Sequence, residues 1–171
     1  MSEEIRIYVT CLAAYNNGYL HGVWIDACGA LEDIQEQVQQ MLKDSPVEDA
    51  EEYAIHDYEG FGAYRLEEYE GLETAHEVAC FIEEHEDIGA ELLNHTGGDF
   101  DEARRLIEEC YHGCYSSLAD YAQEFTESSM SVPKSLEFYI DYKKMGRDWD
   151  MSGDIFTIET GHDEVHVFSN Y

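Results

Sequence analysis

Hydrophobic and polar residues alternate near the start of the chain as they do along a half-buried strand. Ile5, Ile7 and Val9 are each separated by one more polar residue, and a second strand-like run covers 19–26. The sequence Asn-Asn-Gly at 16–18, between these runs, tolerates the positive φ angles of a tight turn. The pattern therefore predicts a β-hairpin at the start of the chain.

The period then changes to that of a helix. Apolar residues from Leu31 to Met41 recur every three or four positions. Pro46 is expected to end this helix, because the residue before a proline avoids helical angles. A further strand is predicted over 53–58. Together these elements would form a small α+β unit of residues 1–61.

Residues 62–98 show the pattern of short helices. An apolar stripe runs from Ala75 to Ile82. Thr74, with Glu77 three residues later, matches the capping box that opens many helices. A second short helix is predicted to follow. This part contains ten acidic residues and one basic residue, so we expect a helical domain with an acidic outer face.

Two more helices are predicted after residue 98. Asp99 is suited to cap the first, with Glu102 at its third position, and Ser117 is suited to cap the second. Gly113 lies between the two and is interpreted as the break that separates them. The buried stripes are expected to contain Phe100, Ala103, Ile107 and Cys110 in the first helix and Leu118, Ala122 and Phe125 in the second.

The end of the chain returns to the period of a strand. The runs 155–158 and 165–168 predict a hairpin. Apolar residues from Phe138 to Trp149 suit a helix, although 138–140 fit a strand equally well. The predicted fold class is α+β, helical in the middle with small antiparallel β units at both ends. Three small domains are expected, with the bounds 1–61, 62–98 and 99–171.

Composition excludes several classes of protein. The 171 residues are 44% hydrophobic and include 7 Phe, 2 Trp and 13 Tyr, too many aromatic residues for an acidic disordered segment. The five cysteines include no CxxC pair, and the first residues lack the basic and apolar regions of a signal peptide. The reducing cytoplasm is therefore expected. No apolar run approaches the roughly 20 residues that span a bilayer.

Charge is the most unusual property of the sequence. Asp and Glu number 39 against 9 Lys and Arg, which gives a formal net charge of −30, whereas small soluble domains usually carry about 2 to 8 charges. The acidic excess is 11 in 1–63, 9 in 64–98, 6 in 99–131 and 4 in 132–171. Thirty charges correspond to roughly 50 Å of duplex DNA, which favours an elongated body. Such a surface is typical of a DNA mimic and equally of a salt-adapted protein.

Several long blocks of the sequence resemble a known family. They are AAYNNGYLHGVWIDA at 13–27, YAIHDYEGFG at 53–62 and HTGGDFDEARRLIEECYHGCYSSLADYA at 95–122, together with GDIFTIE and EVHVF near the end. These blocks are similar to the ArdA antirestriction proteins. Because they are long and spread over nearly the whole chain, the resemblance is specific.

The resemblance implies a DNA mimic, carried by mobile genetic elements, that binds Type I restriction-modification enzymes in the cytoplasm of a bacterial host. Such a protein contacts the methyltransferase core and competes with DNA for the binding channel. The resemblance also implies an elongated chain of three small domains and a homodimer formed through the C-terminal domain. It implies no catalytic residue. No cofactor, no membrane role and no direct binding of nucleic acid are expected either.

Candidate residues for the mimic surface are acidic residues of the predicted helices and of the segment before them. They are Glu67, Glu68, Glu70, Glu73, Glu77, Glu83, Glu84, Asp87, Asp101, Glu102, Glu108, Glu109, Asp120 and Glu124. Tyr111 and Tyr115 are candidate contacts of the dimer interface, because tyrosine is enriched at interfaces, and ordinary core packing is the alternative for both.

An alternative function comes from the spacing of acidic residues near the end. Asp148, Asp150, Ser152, Gly153 and Glu159 fit an EF-hand loop, although no helix is predicted after it. The alternative is therefore an acidic calcium-dependent binding module. Carboxylate pairs for an acid hydrolase can be drawn anywhere in so acidic a chain, so they indicate nothing specific.

Overall fold

The computed structural model describes residues 3–170, with only the backbone of Asp87. The chain divides into two compact units, Met1–Gly97 and Gly98–Tyr171. Each unit contains one antiparallel three-stranded sheet, so the mixed α and β content and the β units at both ends are as predicted. The division of the first 98 residues into two domains stays a prediction. Within 3–170, no helix combines the length and the apolar character required to cross a membrane.

Unit 1 is a small sheet covered by helices. Its elements are β1 (Arg6–Cys11), α1 (Leu12–Asn16), β2 (Gly22–Asp26), α2 (Leu31–Lys43), β3 (Tyr53–Glu59) and α3 (Leu72–His95). The strand order is β2-β1-β3, and both neighbours pair antiparallel with β1. Alternate residues of β1 and β2, among them Ile7, Val9 and Ile25, are buried together with Ile34 and Val38 of α2. The strand and helix periods of the sequence therefore correctly predict this core.

The connection between β1 and β2 differs from the predicted tight turn. The short helix α1 follows β1 directly, and the Cys11 sulfur accepts a hydrogen bond from the Ala14 amide at its first turn. Gly18, at φ +82°, then redirects the chain. The antiparallel pairing of β1 with β2 is as predicted, but five helical residues lie where the hairpin turn was expected.

Helix α3 begins earlier than predicted and is interrupted once. Its N-cap is Gly71, so Thr74 lies inside the first turn and the predicted capping box is wrong. The backbone leaves helical geometry at Glu86, with φ 43° and ψ −117°, which separates two helical segments as the sequence predicted. Gly89 allows close approach across this kink, because a Cβ there would lie 3.0 Å from the Cα of Ile82.

Unit 2 has a second sheet and two packed helices. Its elements are α4 (Phe100–Arg105), a π-helical turn (Leu106–Cys110), β4 (Tyr111–Tyr115), α5 (Leu118–Ser129), a 3₁₀ turn (Glu137–Tyr139), α6 (Tyr142–Ser152), β5 (Ile155–Gly161) and β6 (Glu164–Ser169). The strand order is β4-β6-β5. Tyr121, Ile155 and Val167 form its buried centre. Asp99 and Ser117 cap α4 and α5 as predicted.

The segment around Gly113 is a strand, so its prediction as a break between two helices is wrong. β4 pairs antiparallel with β6, and Gly113, at φ +119°, lies at a bulge in that pairing. The π-helical turn before β4 also shifts the helical phase. Leu106 is buried with Ala103 and Cys110, whereas the predicted Ile107 is only half-buried.

The helix pair α5 and α6 also departs from the predicted stripes. Tyr121 and Thr126 are buried on α5, whereas Phe125 is exposed. Gly146 permits the close packing of the two helices, because a Cβ there would lie 3.0 Å from the carbonyl oxygen of Leu118. Phe138 lies in the exposed 3₁₀ turn before α6, which makes both the helix and the strand predicted for it wrong.

Candidate acidic binding surface

The first segment of α3 presents carboxylates and little else to solvent. Between 72 and 85 the exposed residues are Glu73, Glu77, Glu83 and Glu84, and every other residue is buried or half-buried. Ala75, Val78, Ala79, Phe81 and Ile82 form the buried side. Since residues three, four or seven apart share a helical face, Glu73, Glu77 and Glu84 lie in one line with Glu83 beside it. We call these four residues the α3 acidic row.

The density of charge along the row is of the same order as that of a nucleic-acid strand, although lower. Glu73 and Glu84 are eleven residues apart, and a rise of about 1.5 Å per residue places them about 16 Å apart along the axis. The three intervals between the four carboxylates therefore average about 5.5 Å along the axis. One strand of duplex DNA carries one phosphate per about 3.4 Å of axis. The helix therefore carries its charges at about three-fifths of the linear density of one DNA strand, which is the same order of magnitude.

The charges of the row are not neutralised within the part of the chain that is described. No Lys or Arg side chain of residues 3–170 forms an ion pair with any of the four carboxylates. Glu84 approaches His85 at 3.8 Å, a contact that becomes an ion pair only when the imidazole is protonated. Like charges four residues apart destabilise a helix by a few tenths of a kcal/mol. The buried apolar side of α3 offsets this repulsion.

The acidic residues before α3 are held by local hydrogen bonds. The Glu70 carboxylate accepts hydrogen bonds from the Tyr64 hydroxyl at 3.3 Å and from the Glu67 amide at 3.0 Å. Burial, and then the charge of Glu70, raises the pKa of the Tyr64 hydroxyl. Glu68 lies 3.3 Å from the imidazole of His56. Glu67 and Glu68 remain exposed, so these carboxylates extend the acidic surface of unit 1.

The acidic residues of α4 and the π-helical turn behave differently, because arginines of the same helix partly neutralise them. Arg105 binds Glu102 through two hydrogen bonds of 2.7 and 2.8 Å and approaches Glu109 at 3.7 Å. Arg104 pairs with Asp101 at 3.5 Å. The Arg105 hydrogen bonds lower the pKa of the Glu102 carboxyl. The spacing of three residues in both Asp101–Arg104 and Glu102–Arg105 was the sequence signal for this pairing.

The other candidate carboxylates of unit 2 are exposed. Glu108, Asp120 and Glu124 have no Lys or Arg ion partner among the side chains of residues 3–170. Glu124 lies near Tyr115, where burial first and then this carboxylate raise the pKa of the tyrosine hydroxyl. The side chain of Asp87 lies outside the described part of the structure.

Tyr111 and Tyr115 lie on β4, which is an edge strand of its sheet. The Tyr111 hydroxyl is 2.7 Å from Nδ1 of His166, and its ring packs against Phe168 at a centroid distance of 4.9 Å. The Tyr115 ring contacts Tyr121 edge-on at 5.2 Å. Both side chains are half-buried within the unit, so each packs against its own chain and keeps part of its surface exposed.

The structure contradicts the proposed calcium loop. Asp148, Asp150 and Ser152 lie within α6, and Glu159 lies on β5, so helix and strand occupy the place of the loop that an EF-hand requires. Asp148 instead accepts a hydrogen bond of 2.6 Å from Lys144 Nζ, and this bond lowers the pKa of its carboxyl. Among the residues described, no group of three or more His, Cys, Asp or Glu side chains is arranged to hold a metal ion.

These features define a class of protein: a mixed α and β chain with an acidic helix whose carboxylates lack basic partners. A family model for the ArdA antirestriction protein matches residues 7–164, nearly the whole chain. The chain belongs to the ArdA antirestriction protein family. Among curated proteins, none matches it.

Proposed function

We propose that this protein inhibits Type I restriction-modification enzymes by occupying their DNA channel as a DNA mimic, without catalysing a reaction. Its membership of an antirestriction family supports a role against restriction-modification enzymes. The observation that carries the DNA-mimic mechanism is the α3 acidic row. Its carboxylates have no Lys or Arg partner in residues 3–170, and their mean spacing along the helix is of the same order as that of phosphates along a DNA strand. We further propose that it acts in the cytoplasm of a bacterial host and is carried by a mobile genetic element.

The physical basis of the mechanism is the exchange of one polyanion for another. A DNA channel is lined with Lys and Arg that replace the counterions of DNA, and carboxylates at similar positions engage the same side chains. The helical backbone of α3 fixes the positions of the carboxylates before binding, which lowers the ordering cost. Since each exposed ion pair contributes little, the binding energy is spread over many carboxylates.

We also propose that the chain forms a homodimer through unit 2, with Tyr111 and Tyr115 at the interface. Both lie on an edge strand, and an edge strand offers backbone groups that a second copy can pair. Their half-exposed rings would supply apolar contact on either side of such a pairing.

The test is a titration of a purified Type I methyltransferase core, bound to labelled duplex DNA, with this protein. The expected result is stoichiometric loss of DNA binding, with an apparent affinity that falls steeply as salt rises. The protein alone should not shift the same duplex in a gel. Loss of restriction with DNA still bound to the enzyme would contradict competition for the channel.

A further inference from the structure

One face of the unit 1 sheet is partly open to solvent. Ile7 and Val9 are fully buried on the side of α2, whereas Tyr8, which alternates with them, points to the opposite side and is half-buried. The registers of β1 with β2 and with β3 place six residues on that opposite side in two rows. They are Trp24, Tyr8 and Asp57 in one row and Asp26, Arg6 and Glu59 in the other. We call these six residues the outer sheet face.

The centre of the outer sheet face is a group of two aromatic rings and a guanidinium. The ring centroids of Tyr8 and Trp24 are 5.3 Å apart, and the Arg6 guanidinium lies 5.3 Å from the centroid of Trp24. Gly22 leaves room for this group, because a Cβ there would lie 2.8 Å from the Tyr8 hydroxyl oxygen. Trp24 still exposes 37% of its surface. Tryptophan, tyrosine and arginine are the residue types most enriched among those that dominate binding at protein interfaces.

Two carboxylates flank the aromatic rings. Asp26 lies two residues from Trp24 along β2, Asp57 lies across the sheet on β3, and both are exposed. Asp26 accepts a hydrogen bond from the Cys28 amide at 2.9 Å, and Asp57 accepts one from the Tyr58 amide at 2.8 Å. These bonds fix the carboxylates before any partner arrives. Neither carboxylate forms an ion pair with a Lys or Arg side chain of residues 3–170.

Arg6 shows how the outer sheet face holds a cation. Its guanidinium lies over the Trp24 ring and also binds the Glu59 carboxylate. The attraction between a cation and an aromatic ring adds to the ion pair when both contacts are made at once. The exposed part of Trp24, with Asp26 and Asp57 beside it, offers the same combination of ring and carboxylate to a second guanidinium.

Charge selects the kind of molecule that can occupy this face. A nucleic acid or a second copy of the chain would bring more negative charge against Asp26 and Asp57 and against a chain of net charge −30. A cationic side chain gains from both the carboxylates and the rings. Arginine suits the face better than lysine, because a planar guanidinium stacks on aromatic rings and can form two hydrogen bonds to one carboxylate. The fitting partner is therefore a basic protein surface that presents arginine.

We propose that the outer sheet face binds an arginine side chain of a basic protein partner, with the guanidinium stacked on Trp24 and Tyr8 and paired with the adjacent Asp26 and Asp57. The identification of that partner as the Type I enzyme rests on the proposed function. Stacking on a ring releases few counterions, so this contact persists at high salt, where the contribution of the α3 acidic row declines.

The first experiment displaces labelled duplex DNA from the methyltransferase core with the full-length variant Trp24→Leu. Its apparent affinity should be about fivefold below that of the wild type, by a similar factor at low and at high salt. Trp24→Phe keeps a smaller ring and should lie between the two. Tyr139→Leu is the matched control, because it removes a ring that is 84% exposed in unit 2 and should act as the wild type does. Urea unfolding of each variant shows whether it is folded.

The second experiment requires no enzyme. Trp149→Phe leaves Trp24 as the only tryptophan of the chain, so its fluorescence can be followed during titration with a short arginine peptide. The control peptide contains citrulline, which has the shape of arginine without its charge. Only the arginine peptide should change the emission of Trp24. Asp26→Asn with Asp57→Asn keeps both acceptors of the backbone hydrogen bonds and should weaken the response severalfold. Neutralisation of the α3 acidic row should leave most of the response.

Equal responses of Trp24 to the arginine and citrulline peptides would overturn the proposal, because the outer sheet face would not recognise a guanidinium. A folded Trp24→Leu variant that displaces DNA as well as the wild type would also overturn it. If the wild-type protein displaces no DNA at all, the proposed function fails, and the peptide titration alone then decides whether this face binds arginine.

Discussion

Arg105 binds both carboxylate oxygens of Glu102, with its Nε at 2.8 Å and its Nη2 at 2.7 Å. This bidentate pair shows that the acidic residues of the chain are not equivalent. Glu102 is counted in the net charge, but its field is largely cancelled by a guanidinium of the same helix. The α3 acidic row has no such partner in residues 3–170, so we expect it to dominate binding to a basic channel.

The first prediction compares two blocks of carboxylates. Changing Glu73, Glu77, Glu83 and Glu84 to Gln should weaken inhibition of a Type I enzyme about tenfold or more, because four unpaired charges are lost together. Each single Glu→Gln change in the row should cost about twofold or less. The measurement is the concentration of protein that halves DNA binding by the enzyme, at two salt concentrations.

The matched control neutralises the same number of carboxylates elsewhere. It changes Asp101 to Asn, and Glu102, Glu108 and Glu109 to Gln. Three of these carboxylates, those of Asp101, Glu102 and Glu109, contact arginines in the wild type. This variant should lose less inhibition than the variant in which the α3 acidic row is neutralised. Inhibition by the α3 variant should also depend less on salt. Equal effects of the two blocks would mean that only total charge matters, and a single change that abolished inhibition would contradict a distributed surface.

The second prediction concerns the pH dependence of the Glu102–Arg105 pair. The folded-state pKa of Glu102 is below its ordinary value of 4.5, so the pair stabilises the protein above that pH and loses this effect as the pH falls through the folded pKa. Arg105→Gln should return the Glu102 pKa toward 4.5 and lower stability at pH 7, with little difference from the wild type at strongly acidic pH. NMR titration of the Glu102 carboxyl and urea unfolding at both pH values measure these effects.

Arg105→Lys is the control for this pair, because lysine keeps the charge but cannot form the bidentate contact. The Glu102 pKa in this variant should lie between those of the wild type and Arg105→Gln. If all three proteins titrate alike, the two hydrogen bonds do not hold the carboxylate in its charged form.

The third prediction concerns the thiol of Cys28. Burial, followed by the nearby charge of Glu83, raises its pKa from 9.0 to about 12. Because the thiolate is the reactive form, alkylation of Cys28 at pH 8 should be far slower than that of the exposed Cys114. The raised pKa also predicts lower stability at high pH. Between pH 9 and pH 12 the Cys28 thiol ionises in the unfolded chain but not in the folded one, so the free energy of unfolding falls over this range.

Glu83→Gln tests the electrostatic part of this shift. Removal of the carboxylate should lower the Cys28 pKa and speed its alkylation, while the rate at Cys114 stays the same. Mass spectrometry of the peptides after timed alkylation measures both thiols in one sample. Equal rates at Cys28 and Cys114 in the wild type would show that the Cys28 thiol is not shielded.

Some elements can be predicted from the local sequence, because the periodicity of their apolar residues matches the secondary structure that they adopt. Alternation in β1 and the helical period of α2 are both local, and Asp99 and Ser117 bond to amides three residues away. β4 could not be predicted in this way. It is a strand because it pairs with β6, more than fifty residues later, and its own glycine favoured a helix break.

The acidic residues of the candidate surface can be identified from the sequence, but which of them are paired with arginines is harder to predict. The four-residue repeats of Glu along α3 are visible in the sequence, and they lie on the exposed side because the intervening positions are buried. The selective neutralisation of Glu102 depends on the rotamer of Arg105, which a list of charges does not contain.

The fourth prediction concerns the kink in α3. Glu86 has φ 43° and ψ −117°, a conformation that costs a residue with a Cβ about 1 to 3 kcal/mol and that glycine adopts readily. Glycine also lowers the free energy of unfolding by about 0.5 to 1 kcal/mol, because it gives the unfolded chain more conformational freedom. Glu86→Gly should therefore raise the free energy of unfolding by about 1 kcal/mol, measured by urea denaturation at neutral pH.

Glu84→Gly is the matched control, because Glu84 is also exposed but has regular helical geometry two residues earlier. There glycine relieves no strain, and the change should lower the free energy of unfolding by about 1 kcal/mol, the usual cost of glycine within a helix. Both variants remove one negative charge, so the difference between them isolates the backbone at Glu86. If both changes destabilise the protein equally, the backbone at Glu86 stores no strain, and the two segments of α3 are separated for another reason.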